Sequence, residues 1–127
     1  MIRFSLTAPL PSGKNQVGIA WRNGKVIRYP NKRFVQWREQ AGKELLAQVK
    51  NRMPLMGTLH MSVSYWPPDR VRRDVPGMLD ALFHLLEHCW IVKDDSQISD
   101  VQWVSEPYVR PAHPKMVIAE ISLERQP

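Results

Sequence analysis

Two stretches of this chain carry apolar residues at spacings of three and four, and they set the terms for everything between them. In the first, Phe34, Trp37, Ala41, Leu45 and Val49 fall on one stripe, while Lys32, Arg33, Arg38, Lys43 and Lys50 occupy the other faces. In the second, Leu79, Leu82, Phe83 and Leu86 form the stripe of a helix from about Val75 to Cys89. An amphipathic helix is stable only when its apolar face is covered by another element. The remaining apolar residues supply that cover, because they alternate with polar ones at the period of half-buried strands. Ile2, Phe4 and Leu6 alternate with Arg3, Ser5 and Thr7; Met61, Val63 and Tyr65 do so with Ser62 and Ser64 within a strand over Gly57–Trp66. Two more strands are expected near Ile98–Ser105 and Lys115–Leu123, the last with Val117, Ala119, Ile121 and Leu123 on one face.

Turn chemistry separates these segments. Pro9 and Pro11 end the first strand, and Leu10–Gln16 is a loop rich in turn formers. Gly18–Arg22 and Lys25–Tyr29 flank Asn23-Gly24, a dipeptide that readily supplies both positive φ angles of a type I′ hairpin turn. Asn31 and Asp74 are N-cap residues for the two helices, and Pro76 is tolerated in a first helical turn. Pro67-Pro68 closes the middle strand. The order strand, hairpin, helix, strand, helix, strand, strand describes an α/β (α+β) two-layer domain. Its mixed β-sheet would include the N-terminal strand and hairpin, with two amphipathic helices packed on it. No repeat or Gly/Ser linker divides the 127 residues, so residues 1–127 are read as a single domain.

Charge is unevenly placed. Residues 1–52 hold eleven Lys/Arg and two acids, whereas residues 53–127 hold seven and ten, nets of +9 and −3. That split points to a polyanion-gripping half joined to a half where carboxylates gather. A single cysteine, Cys89, excludes an intrachain disulfide framework, and no apolar run approaches the ~20 residues that span a bilayer. The start of the chain lacks a signal-peptide apolar core, so a cytoplasmic protein is expected.

The carboxylates concentrate in Pro68–Gln97. Arg70, Arg72 and Arg73 run into Asp74 at a strand-to-helix junction, and one helix later the chain turns at Asp94-Asp95. Carboxylates hold a hard cation through oxygen and arginines hold phosphate, the combination that Mg²⁺-dependent phosphodiester hydrolysis requires. Each piece also has a plain structural reading, Asp74 as a cap and Asp94-Asp95-Ser96 as a turn. A helix of about 15 residues is ~22 Å long, which separates its two ends unless a second chain or curvature closes the gap.

The arrangement R-R-D, amphipathic helix, D-D-x-Q resembles the RusA family of Holliday junction resolvases (crossover junction endodeoxyribonucleases). The resemblance extends over the chain, including the Pro11, Ser12, Gly13, Lys14, Asn15 loop and the basic hairpin and helix that follow. It implies a homodimeric nuclease of phage or prophage type that cuts four-way DNA junctions with Mg²⁺, or Mn²⁺ in its place. By the same resemblance Asp74 and Asp95 are catalytic aspartates, with Asp94 adjacent, and Arg70, Arg72 and Arg73 form the preceding basic run. The family's D-x-D-N and following lysine are replaced here by Pro76, Gly77 and Asp80. Asp80 is therefore either a migrated ligand, restoring a metal set of Asp74, Asp80, Asp94 and Asp95, or a surface residue on a catalytically silent junction binder.

Lys14, Asn15, Arg22, Lys25, Arg28, Lys32 and Arg33 are expected, with Arg70, Arg72 and Arg73, to contact DNA. Each neutralised phosphate would steepen the log–log salt dependence of binding by roughly 0.9. Trp21 and Tyr29 fit a cross-strand hairpin pair better than base stacking. His84 and His88, four apart, lack the third ligand of a zinc site. Cys89 reads as packing, and Met53, Met56 and Met61 as adaptable core. Phe83 and Trp90 mark a candidate dimer surface. A basic RNA- or ribosome-associated domain is the competing class, but the sequence carries no RNA-recognition motif for it.

Overall fold

A computed structural model describes residues 1–12, 17–50 and 53–123. In chain order it contains β1 (Ile2–Leu6), β2 (Val17–Arg22), β3 (Lys25–Pro30), α1 (Lys32–Gln48), β4 (Leu59–Tyr65) and α2 (Val75–His88). A 3-10 turn (Asp95–Gln97), β5 (Ile98–Ser105) and β6 (Val117–Leu123) complete it. Four strands form one sheet in the order β1-β6-β4-β5, with β4 and β5 parallel and the other pairs antiparallel. The layers are those the alternation predicts: a mixed sheet with two helices, an α+β fold.

One face of the sheet carries the core. Phe4 and Leu6 of β1, Leu59, Met61, Val63 and Tyr65 of β4, and Val117, Ala119 and Ile121 of β6 are buried. They meet Phe34, Trp37, Ala41 and Leu45 of α1 and Met78, Ala81, Leu82, Leu85 and Leu86 of α2 in one cluster. The buried stripe of α2 is thus turned from the one read in the sequence. Leu79 and Phe83 flank it half-buried, and Met78 and Leu85 take the centre. Among the three methionines read as core, Met61 is buried but Met53 and Met56, on the α1–β4 connection, are exposed.

The hairpin departs from the expected single sheet. Among the described residues, β2 and β3 pair only with each other, from Val17↔Pro30 to Arg22↔Lys25 around Asn23 and Gly24, both at positive φ. Arg22, Lys25 and Arg28 are exposed on it. The free edge of β1 is occupied by α1 instead. Gln48 Oε1 accepts the Ser5 amide at 2.8 Å and Glu44 Oε2 accepts the Thr7 amide at 2.9 Å. Two side chains therefore satisfy the outward amides that another strand would otherwise pair.

Both helices begin and end for local reasons. The Asn31 side chain accepts the Arg33 and Phe34 amides at 3.0 and 3.2 Å, capping α1 as expected. At the end of α2, the Ile91 amide returns to Leu86 O at 2.9 Å and the Trp90 amide to Glu87 O at 3.0 Å. That is a Schellman closure, and it places Trp90 at φ 60, a position glycine usually fills. The closure turns the chain abruptly toward Asp94.

Candidate active site

Because β4 and β5 are parallel, α2 is a crossover, and the residues at its two ends lie at opposite ends of the strand pair. Asp74 follows the C-terminal end of β4; Asp94 and Asp95 precede the N-terminal end of β5. Thirteen helical steps from Asp74 to Glu87 add about 20 Å. A single chain therefore presents its carboxylates in two places.

At the first place, Asp74 caps α2 through its backbone, its carbonyl accepting the Met78 amide at 3.0 Å, while its side chain makes no capping bond. The carboxylate folds over Gly77 instead. A methyl group on Gly77 would come within 3.0 Å of Asp74 Oδ2 and 2.6 Å of Ser12 Oγ. The Pro11–Ser12 loop and the aspartate thus converge on the backbone of the first helical turn, where the partial positive charge of the helix end favours an anion. Lys14 and Asn15, in the same loop, lie outside the described residues.

At the second place, Glu87, Asp94 and Asp95 each offer a carboxylate oxygen, and the three lie within 4.8 Å of one another. Glu87 Oε1 accepts the Asp95 amide at 2.7 Å. Asp94 caps the 3-10 turn by accepting the Ser96 amide at 2.8 Å, and this bond holds its pKa below the ordinary carboxylate range. Asp95 is displaced the other way. Partial burial raises its pKa, and the negative charges of Glu87, Asp94 and Asp80 add to the effect. The group is short of positive charge, and three oxygen donors at this separation suit a hard divalent cation.

Gln97 holds that turn in place. Its Oε1 accepts the amides of Lys93 and Asp94 at 2.9 and 3.2 Å, and its Nε2 donates to Leu55 O and Gly57 O at 2.9 and 3.1 Å. The last letter of D-D-x-Q is therefore the tie between the carboxylate turn and the segment leading into β4.

Asp80 is exposed on α2, seven residues before Glu87 and so nearly on the same helical face. Its charge is felt at Asp95, but its oxygens stand outside the group of three. Glu87 was not singled out from the sequence. The available signal was its position two helical turns after Asp80 and eight residues before Asp95.

The arginines divide as well. Arg73 forks onto Asp69 through bonds of 2.6 and 2.9 Å and also donates to Val71 O at 3.2 Å. That pairing, with the Val71 amide, holds Asp69 down to about 2. Arg70 lies over the Tyr108 ring, 5.6 Å from its centre, and Arg72 is exposed. Lys32 and Arg33 are exposed at the start of α1. The side chains of Trp21 and Tyr29 lie outside those described. His84 and His88 stack 6.1 Å apart, but His84 Nε2 faces Arg38 at 3.3 Å, an arrangement opposed to a zinc pair. Burial pushes the Cys89 thiol up, in keeping with packing.

A protein-family model, Endodeoxyribonuclease RusA, matches residues 8–119, nearly the whole of this site-bearing region. The chain belongs to the RusA family. A curated relative, the crossover junction endodeoxyribonuclease RusA of Aquifex aeolicus (strain VF5), is 29% identical over 97 residues. That alignment covers 76% of this chain and 75% of the relative. The mixed sheet and two helices are consistent with a RusA-like fold. Membership identifies a nuclease family whose members are generally divalent-metal dependent, and the Glu87, Asp94 and Asp95 oxygens are the group able to hold such an ion. No helix among the described residues is long and apolar enough to cross a membrane.

Proposed function

We propose that two copies of this RusA-family chain resolve four-way DNA junctions by paired, Mg²⁺-dependent phosphodiester cleavage in DNA recombination and repair, in the cytoplasm. Mn²⁺ would substitute for Mg²⁺, having the same preference for oxygen ligands. The observation that carries this reading is the convergence of Glu87, Asp94 and Asp95 at the turn of a RusA-family chain. Bound there, a divalent cation supplies Lewis-acid charge to the scissile phosphate. The protein's part is to keep Asp94 ionised through Ser96 and to place Asp95 against Glu87, while Arg70 and Arg72, at the Asp74 end of α2, grip backbone phosphate away from that group.

The homodimer in this proposal follows from the separation along α2. Asp74, at the opposite end of the helix, reaches a shared site only from a partner subunit. A two-fold arrangement would also bring two sites to the two opposed strands of a junction. Asp80, between the two ends and outside the three-oxygen group, would serve either as a migrated ligand or as a surface residue.

A second reading, of a junction binder that does not cut, is favoured by one observation. The Asp74 end of the site has Pro76 and Gly77 where the family pattern carries a second acid and an asparagine. One experiment separates the two readings: incubation with a synthetic four-way junction and a linear duplex, with and without Mg²⁺, beside Asp74→Asn and Asp95→Asn variants. Paired nicks confined to the junction, requiring metal and lost in both variants, support the resolvase. Selective binding without nicks at any Mg²⁺ concentration supports the silent binder. Equal affinity for both DNAs without cleavage would sink both.

A further inference from the structure

A concavity of about 500 Å³ opens between the segment that follows β4 and the β5–β6 connection, lined by Asp69, Arg70, Tyr108 and Arg110. Tyr108 organises both arginines. The Arg70 guanidinium lies 5.6 Å above its ring centre, and Arg110 Nε donates to its hydroxyl at 3.2 Å. A guanidinium spread over a ring face or hydrogen-bonded at one nitrogen keeps its other N–H groups available. Asp69 does not cancel them, since its carboxylate is forked onto Arg73 through bonds of 2.6 and 2.9 Å. With Asp69 neutralised by Arg73, which stands outside the lining, Arg70 and Arg110 leave a positively charged space large enough for a phosphodiester group.

The backbone around the concavity is pinned. Glu106 N donates to Tyr65 O at 2.7 Å and Trp66 N to Met116 O at 2.9 Å, fixing both ends of the connection to the end of β4. Between them, the His113 ring stacks on Trp66 with centres 4.1 Å apart and planes 11° from parallel. Arg110 thus projects from a fastened loop, which lowers the ordering cost of holding an anion.

The geometry points to this concavity as a docking site for a DNA backbone phosphate, gripped by Arg70 and Arg110 with Tyr108 as their common support. The inference rests on the proposed action on DNA and deepens it by locating one contact. Asp74 follows Arg70 by four positions, so their Cα atoms are at most ~14 Å apart. The contact therefore belongs to the Asp74 end of α2. Tyr108 and Arg110 lie outside the basic half of the chain, and Tyr108 is half-buried. Two guanidiniums in fork geometry fit phosphate oxygens, whereas an acidic protein would engage them with carboxylates, and the test separates the two.

The test measures fluorescence anisotropy of a labelled four-way junction and of a linear duplex, without Mg²⁺, over a range of salt concentrations. Wild type is compared with Arg110→Ala, Arg110→Lys, Tyr108→Phe and Tyr108→Ala. Arg110→Ala should weaken binding roughly tenfold through the lost charge-assisted bond and lower the log–log salt slope by about 0.9. Arg110→Lys should restore the slope but not the full affinity. Tyr108→Ala should weaken binding with little change of slope, and Tyr108→Phe should fall between Tyr108→Ala and wild type. Wild-type affinity and slope in Arg110→Ala on both DNAs would overturn the proposal. A loss in Arg110→Ala on duplex and junction alike, with no junction preference in wild type, would keep the pocket and remove the junction reading. Displacement of DNA by polyglutamate that Arg110→Ala abolishes, with its DNA affinity unchanged, would assign an acidic protein and overturn the phosphate site.

Discussion

Glu87 Oε1 accepts the backbone amide of Asp95 at 2.7 Å, so the acid at the end of α2 both supplies an oxygen beside the aspartate turn and fixes where that turn sits. Replacing Glu87 with Gln keeps an acceptor for the amide and removes one negative charge. Metal affinity should fall by roughly 10–100-fold, read as a shift in the Mg²⁺ concentration needed for junction cleavage. Asp80→Asn should shift it less, because Asp80 stands outside the three-oxygen group. A larger effect at Asp80 than at Glu87 would return the missing ligand's role to Asp80.

Gly77 should be indispensable for activity but not for stability. In a helix, alanine is favoured over glycine by ~1 kcal/mol. The added methyl would meet Ser12 Oγ at 2.6 Å and Asp74 Oδ2 at 3.0 Å, both at the ends of side chains that can turn away. Relief of the contact costs the position of the carboxylate more than the fold. Gly77→Ala should therefore melt within a few degrees of wild type while cleavage falls at least tenfold. A fully active Gly77→Ala would show that the place of Asp74 over the helix end is immaterial.

Much of this architecture is written in local patterns. The alternation in β1, β4 and β6 and the stripe of α1 predict their faces because burial on one side is what those periods encode. The stripe of α2 is less legible. That helix is apolar on more than one side, and only packing decides that Met78 and Leu85 lie at its centre while Leu79 and Phe83 lie at its flanks. The solitary hairpin is illegible for a similar reason, since Asn23-Gly24 encodes the turn but nothing nearby encodes a third strand. At the site, Asp74, Asp94 and Asp95 stand out by composition. Glu87 joins Asp94 and Asp95 through the Schellman closure at Trp90, a three-dimensional turn in which a tryptophan takes the place of the usual glycine signal.

Gln97 should matter to folding as much as any apolar residue of comparable size. Its amide group serves four backbone partners, at Lys93, Asp94, Leu55 and Gly57. Gln97→Ala leaves those groups to water or unpaired, at a cost of about 1–3 kcal/mol, measured by denaturant unfolding. Gln97→Glu keeps the acceptor for the two amides but turns the donor facing Leu55 and Gly57 into a second acceptor. It should be destabilised comparably and should bind metal differently, as a fourth carboxylate beside the turn. A neutral Gln97→Ala would mean the turn is held by the Asp94 cap and the Glu87–Asp95 bond without it.

His84 gives the fold a pH dependence set mainly by burial and by Arg38. Its Nε2 faces the Arg38 guanidinium at 3.3 Å, and because a guanidinium only donates, the ring is the acceptor and neutral. Burial lowers its pKa below 6.5, and the charges of Arg38 and His88 lower it further, against a weaker opposite pull from Glu87 and Asp80. In the unfolded chain the ring takes its proton near pH 6.5, and in the folded protein only at lower pH. The unfolded state therefore binds more protons through that window. The preference for the folded state is fully present above pH 6.5 and is lost as pH falls from there through the folded value. Melting temperatures recorded from pH 8 to pH 5 should decline below 6.5, and the decline should flatten in His84→Gln, which cannot titrate. In NMR the His84 ring should titrate below 6.5; a midpoint above that value would mean that the contact with Arg38 does not form in solution.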